Sequence, residues 1–74
     1  MILTVPKLQM SMTEATLAEW LVADGATVEE GQPIYAIESD KSTQEIEAPA
    51  SGRLVQTGQA GETYPVGTEI GSIV

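Results

Sequence analysis

The chain has 74 residues, with three Lys or Arg against eleven Asp or Glu, a formal net charge of −8, and neither cysteine nor histidine. The length predicts one small domain over residues 1–74 with a modest core, since such a chain buries only about 60% of its unfolded surface. Disulfides, zinc-thiolate sites and thiol nucleophiles are excluded, and no metal site is expected without the commonest metal ligand and general base. Three scattered basic residues (Lys7, Lys41, Arg53) cannot supply the clustered charge that phosphate binding needs, so no nucleic-acid partner is expected.

In chain order, the first periodic segment is Thr16-Leu17-Ala18-Glu19-Trp20-Leu21-Val22. A helix from Glu14 to Ala23 competes with a strand here. The strand is preferred, because the other apolar runs span only four to six residues between Gly, Pro or Asp. Next comes the strand-like Ile34-Tyr35-Ala36-Ile37-Glu38, then the turn Ser39-Asp40-Lys41-Ser42, then Thr43-Gln44-Glu45-Ile46-Glu47 and Ala48-Pro49-Ala50-Ser51-Gly52. Leu21-Val22-Ala23 and Ile34-Tyr35-Ala36-Ile37 fall far short of the ~20 apolar residues of a membrane helix, so no membrane association is expected. No basic-then-apolar leader opens the chain, and a cytoplasmic or organelle-matrix setting is the expectation. The chain stops within the apolar Ile70-Gly71-Ser72-Ile73-Val74, which suggests a domain of a longer protein.

The two halves echo each other. Gly25, Val28, Gly31, Ile34 and Ile37 recur as Gly61, Tyr64, Gly67, Ile70 and Ile73, each pair 36 residues apart. Leu17 has a counterpart in Leu54 with one residue deleted. Repeated turn glycines and core aliphatics predict two copies of one supersecondary unit, neither able to bury its apolar face alone. The copies should pack face to face about a pseudo-two-fold axis, as an all-β sandwich or barrel. The turn with Lys41 joins them and should project at one end, away from the termini.

Ser39 and Asp40 open a type I turn well, because their side chains can bond the backbone further on. Without glycine, a primed turn is not expected. An exposed lysine is protonated at neutral pH and is a poor nucleophile until a pocket removes its proton. Lys41 therefore reads as a target for modification by another enzyme. Glu14, Asp40 and Glu45 could nominally serve as acid and base, but no nucleophile, metal cluster or phosphate loop accompanies them.

These residues carry a resemblance to a known family. Pro6-Lys7-Leu8 with Met10, Met12 and Glu14 resembles the opening of a lipoyl domain of the dihydrolipoamide acyltransferases of 2-oxoacid dehydrogenase complexes. Trp20-Leu21-Val22 with Asp24-Gly25 and Val28, then Gly31-Gln32-Pro33-Ile34, resemble its next segments. Glu38-Ser39-Asp40-Lys41 resembles its attachment turn, and Glu45-Ile46-Glu47-Ala48-Pro49 with Gly52 the strand that follows. The departures are Ser42, Ala15 and Gln9, where the family often has Ala, Gly and Gly.

The resemblance implies a flattened barrel of two four-stranded antiparallel sheets. It also implies lipoate in amide linkage to Lys41, presented by Ser39, Asp40 and Ser42. The implied role is a swinging arm in a non-catalytic carrier domain of an acyltransferase. The arm would be loaded by a lipoate ligase or lipoyl transferase. It would serve in turn a thiamine-diphosphate-dependent decarboxylase, the acyltransferase core and the flavoprotein dihydrolipoamide dehydrogenase. The cofactor supplies the chemistry and the protein its presentation. The rival readings are a biotin carboxyl carrier, whose target lysine is normally flanked by methionines, and a carrier of glycine-cleavage type.

Leu17, Val28, Ile34, Ile37, Ile46, Leu54 and Ile70 are the expected core, joined by Val66 or Ile73. Trp20 suits either the core or a half-exposed position, and Met10 and Met12 read as packing or surface residues. Glu38, Asp40, Glu45 and Glu47 are expected around the arm, facing a basic rim on its partner.

Overall fold

The computed structural model describes residues 1–8, 10–39 and 42–74. Eight strands follow in order: β1 (Ile2–Thr4), β2 (Glu14–Trp20), β3 (Thr27–Val28), β4 (Pro33–Glu38), β5 (Thr43–Glu47), β6 (Gly52–Gln56), β7 (Thr63–Pro65) and β8 (Glu69–Ile73). There is no helix among the described residues. The strand reading of residues 16–22 therefore holds, with β2 starting two residues earlier and ending at Trp20.

Two four-stranded antiparallel sheets form, ordered β1-β8-β6-β3 and β5-β4-β2-β7, without closing into a barrel. The halves do not stack as one sheet each. Every sheet takes two strands from β1–β4 and two from β5–β8. The cause lies in the glycine turns, which carry each half from one sheet to the other after its second strand. Gly25, after β2 of one sheet, donates its amide to Leu54 of the other at 2.7 Å, and Gly61, after β6, returns the bond to Leu17 at 2.7 Å.

Backbone hydrogen bonds confirm the repeat. The Leu54 amide donates to Ala26 and the Leu17 amide to Glu62, at 2.9 Å each. The Gly31 and Gly67 amides donate to Ala48 and Val5 at 2.9 Å each, while the Ala48 and Val5 amides donate to Gln32 at 2.8 Å and Thr68 at 3.0 Å. Gly25 and Gly61 sit at φ 85° and 90°, a region costly for residues with a Cβ, so glycine is required twice. The residue missing between Leu54 and Gly61 also has a physical identity. β2 has a bulge between Leu17 and Glu19, which accommodates the one extra residue that the first half carries.

Leu17, Val28, Ile34, Ile37, Leu54 and Ile70 are fully buried, and Ile73 nearly so. Ile46 departs from expectation: it is only half-buried, because β5 is an edge strand covered on one side alone. Val66 is half-buried as well. Leu3, Val5, Met12, Ala15, Tyr35, Ala36 and Ala48 complete the core. Trp20 is half-buried, its ring centroid 5.4 Å from that of Tyr35 and its Nε1 donating to the Gly58 carbonyl at 3.1 Å. That bond joins the region beyond the end of β6 to the end of β2. The two strands therefore meet at their finishing ends, and their starts lie apart.

Candidate functional site

The β4–β5 hairpin links the two copies of the repeat. Glu38 pairs with Thr43, and beyond them the Ser39 amide donates to the Ser42 carbonyl at 2.8 Å. The Ser39 hydroxyl donates to the same carbonyl at 3.1 Å and lies 3.4 Å from the Ser42 hydroxyl. These contacts close the hairpin around residues 40 and 41. Asp40 and Lys41 themselves, and with them the turn type, lie outside the described residues. Ser39 thus clamps the strand ends on either side of residues 40 and 41.

An open hollow lies beside this clamp. Residues 11–16 line it together with Glu38, Ser39, Ser42, Thr43 and Thr63. Its base follows from strand register. Thr43 opposes Glu38, Glu38 opposes Thr16, and Thr16 opposes Thr63 across β5, β4, β2 and β7. The Thr16 and Thr63 hydroxyls meet at 3.0 Å. The lining is rich in hydroxyls, with the carboxylates of Glu14 and Glu38 among them. Such a surface suits polar contact with a partner and gives an apolar chain little to bury against.

The acidic surroundings differ from expectation in one respect. Glu47 opposes Pro33, at the end of β4 remote from the turn. It lies about 14 Å along β5 from Thr43, at ~3.4 Å per residue. Glu45 opposes Ala36, nearer the turn. Glu14 takes the place assigned to Glu47, because β2 pairs with β4 in the register that brings Thr16 opposite Glu38. Sequence spacing held no signal for this, since residues 14 and 38 come to line one hollow only through long-range pairing.

The junction opposite in the repeat is formed by the chain ends. The Met1 amino group donates to the Ile73 carbonyl at 2.7 Å and the Ile73 amide to the Met1 carbonyl at 2.8 Å. Met1 leads into β1 and Ile73 ends β8, the counterparts of β5 and β4. β2 starts beside the hairpin and β6 starts beside this junction, where Arg53 and Val74 exchange backbone hydrogen bonds at 2.9 and 3.0 Å. The β4–β5 hairpin and the termini therefore occupy opposite ends of the molecule, as expected.

The profile of the family described as "Biotin-requiring enzyme", the biotin–lipoyl attachment domains, matches residues 2–73, and the chain belongs to this family. Among curated relatives, the chain is similar to the dihydrolipoyllysine-residue acetyltransferase component of the acetoin cleaving system of Pseudomonas putida. Identity is 38% over 73 residues, covering 97% of this chain and 20% of that protein. It is similar to the dihydrolipoyllysine-residue acetyltransferase component of the pyruvate dehydrogenase complex of Rhizobium meliloti, at 40% identity, covering 90% of the chain and 14% of the relative. The dihydrolipoyllysine-residue succinyltransferase component of the 2-oxoglutarate dehydrogenase complex of Bacillus subtilis is 40% identical, over 93% of the chain and 17% of the relative. The chain thus spans a fifth or less of the length of these relatives.

Proposed function

We propose that this domain carries lipoate in amide linkage to Lys41 and presents it to the successive enzymes of a 2-oxoacid dehydrogenase complex. The observation that carries this reading is the clamped hairpin. A serine pair closes β4 and β5 around a two-residue tip containing Lys41, at the end of the molecule remote from the termini. Lipoate fits better than biotin for two reasons. The flanks of Lys41 are Asp40 and Ser42, not methionines, and the relatives quoted above are all named for a dihydrolipoyllysine residue.

Within this reading the bound group supplies acyl and electron transfer through a dithiolane. The chain's own residues fix the strand ends on either side of the lysine, while the domain surface identifies it to each partner. Those partners are a lipoate ligase or lipoyl transferase, a thiamine-diphosphate-dependent decarboxylase, an acyltransferase core and dihydrolipoamide dehydrogenase. The domain itself acts as a non-catalytic carrier. Tethering raises the local concentration of the reactive group at each active site.

The test is intact-mass measurement of the 74-residue chain after incubation with lipoate ligase, lipoate and ATP, beside biotin ligase with biotin and ATP. One lipoyl group mapped to Lys41, absent from Lys41→Arg, is the expected result. Biotin uptake in its place, or a lipoyl group on Lys7, would overturn it.

A further inference from the structure

The repeat provides an internal control for what the fold requires. Across β4, β2 and β7 the register aligns Glu38, Thr16 and Thr63. Across β8, β6 and β3 it aligns Val74, Arg53 and Thr27. These are counterparts in the two copies. Glu38 and Val74 stand 36 residues apart, as do Thr27 and Thr63, while Thr16 and Arg53 precede the matched Leu17 and Leu54. The backbone builds one row twice, with different side chains on it.

At the hairpin end the Thr16 and Thr63 hydroxyls bond to each other at 3.0 Å. At the terminal end Arg53 stands in the place of Thr16 opposite Thr27, and no side-chain hydrogen bond joins the two. Among the described residues, only two hydrogen bonds run from side chain to side chain, Thr16 with Thr63 and Ser39 with Ser42. Both lie on the hollow beside the hairpin. The architecture forms without the threonine bond at one end, so the bond is an addition to the fold at the end whose turn contains Lys41.

Its place shows what it adds. β7 spans three residues at the edge of its sheet, and the last of them, Pro65, has no amide to give the ladder. Short edge strands sit at the low end of local stability. Thr63 is the β7 residue opposite Thr16, and Thr16 lies opposite Glu38, which ends β4 at the turn. The hydroxyl bond therefore pins the edge strand at the row that underlies the hairpin. It is exposed, so it contributes little to global stability.

We propose that Thr63 is a positioning residue for the modification of Lys41: through Thr16 it steadies the strand ends on either side of residues 40 and 41, so that a lipoate ligase meets them already ordered. The proposal rests on the carrier reading above. When the row is loose, the competent arrangement is only partly populated and the apparent affinity falls in proportion. The chemical step at the lysine amine is untouched. Loss of the bond should raise KM and leave kcat alone.

The experiment measures ligation by lipoate ligase with lipoate and ATP, varying the concentration of the chain. Thr63→Val keeps the shape and removes the hydroxyl. Its KM should rise about two- to fivefold, with kcat and the urea midpoint near wild type. Thr63→Ser should restore KM. Thr16→Val should match Thr63→Val, and the double variant should be no worse than either, since all three lack the same bond. Thr27→Val, the same change at the other end, should alter neither constant. A wild-type KM for Thr63→Val, no recovery in Thr63→Ser, effects that multiply in the double variant, or an equal effect of Thr27→Val overturns this proposal alone. A large fall in the urea midpoint of Thr63→Val makes the bond part of the fold and overturns it as well. A wild-type chain that takes no lipoate overturns the carrier reading and this one with it.

Discussion

Ser39 holds Ser42 twice, through its amide at 2.8 Å and through its hydroxyl at 3.1 Å, both on one carbonyl oxygen. The amide bond belongs to the hairpin ladder and survives any substitution except proline. The hydroxyl bond belongs to serine alone. An exposed hydrogen bond of this kind contributes at most about 0.5–1.5 kcal/mol, so Ser39→Ala should shift the urea midpoint little. It should nonetheless lower the rate of lipoate ligation, because the strand ends that position the tip lose a restraint. An unchanged ligation rate would show that the backbone bond suffices.

Exchanging Asp40 and Lys41 moves the lysine by one position within the tip. Shifting a lysine by one position changes the direction in which its side chain leaves the backbone, so the swap redirects the amine while leaving composition and charge alone. Ligation should fall sharply with circular dichroism unchanged. Equal rates would show that the ligase finds any lysine in the turn.

Ile37 is fully buried opposite Leu17, whereas Gln59 is exposed. Ile37→Ala should cost about 2–5 kcal/mol in urea unfolding, a large share of a typical total of about 5–15 kcal/mol. Gln59→Ala should leave the midpoint nearly unmoved. Gly71→Ala should also destabilise strongly, since a Cβ there would stand 2.6 Å from the Val55 carbonyl oxygen and 3.2 Å from the Trp20 ring. Comparable midpoints for Ile37→Ala and Gln59→Ala would refute the core assignment.

Tyr35 predicts an alkaline limit to stability. Burial pushes its phenol from 10.0 up to about 12, and its hydroxyl donates to the Thr4 carbonyl at 3.0 Å, tying the two sheets together. A folded-state pKa above the unfolded one means that the unfolded chain loses its proton first. The contribution of Tyr35 is therefore complete below about pH 10 and declines as pH rises toward about 12. Tyr35→Phe should be less stable at neutral pH and should show a shallower decline over that interval. Parallel pH profiles for the two proteins would remove Tyr35 from the account.

Glu14 and Glu38 both line the hollow beside the turn, and Glu47 lies at the far end of β4. If carboxylates near the arm meet a basic rim on the decarboxylase, Glu14→Gln with Glu38→Gln should lower kcat/KM for reductive acylation by up to about tenfold at low salt. The double variant should also flatten the salt dependence, since screening acts over ~10 Å at 0.1 M. Glu47→Gln should change little. A double variant with wild-type kinetics would move recognition elsewhere.

Much of this was legible in the chain itself. The 36-residue offset located the turn glycines and most of the core, because both obey local rules of φ and side-chain alternation. The shorter elements were not legible. β3 and β7 span two and three residues, too few for a period to register. Val5 and Ala48 gave no core signal, since each stands alone beside a proline and is buried by equivalent long-range contacts. The interleaving of the halves and the placing of Glu14 and Glu38 on one hollow depend on which strands pair across the molecule, and no local pattern encodes that choice. At the site, sequence reached the turn and its serine flanks but not the approach of Glu14 to the same hollow.

The pairing of β1 with β8 has a consequence for biosynthesis. Within this domain the first strand made has as its only ladder partner, among the described residues, the last strand made. β3 likewise waits for β6, and β2 remains without β7 until more than four-fifths of these 74 residues exist. Early strands can gain no lasting shelter in the meantime, and folding dominated by such distant pairings is slow. The nascent chain must remain soluble while it waits, and a surplus of eight negative charges on 74 residues discourages nascent copies from sticking to one another.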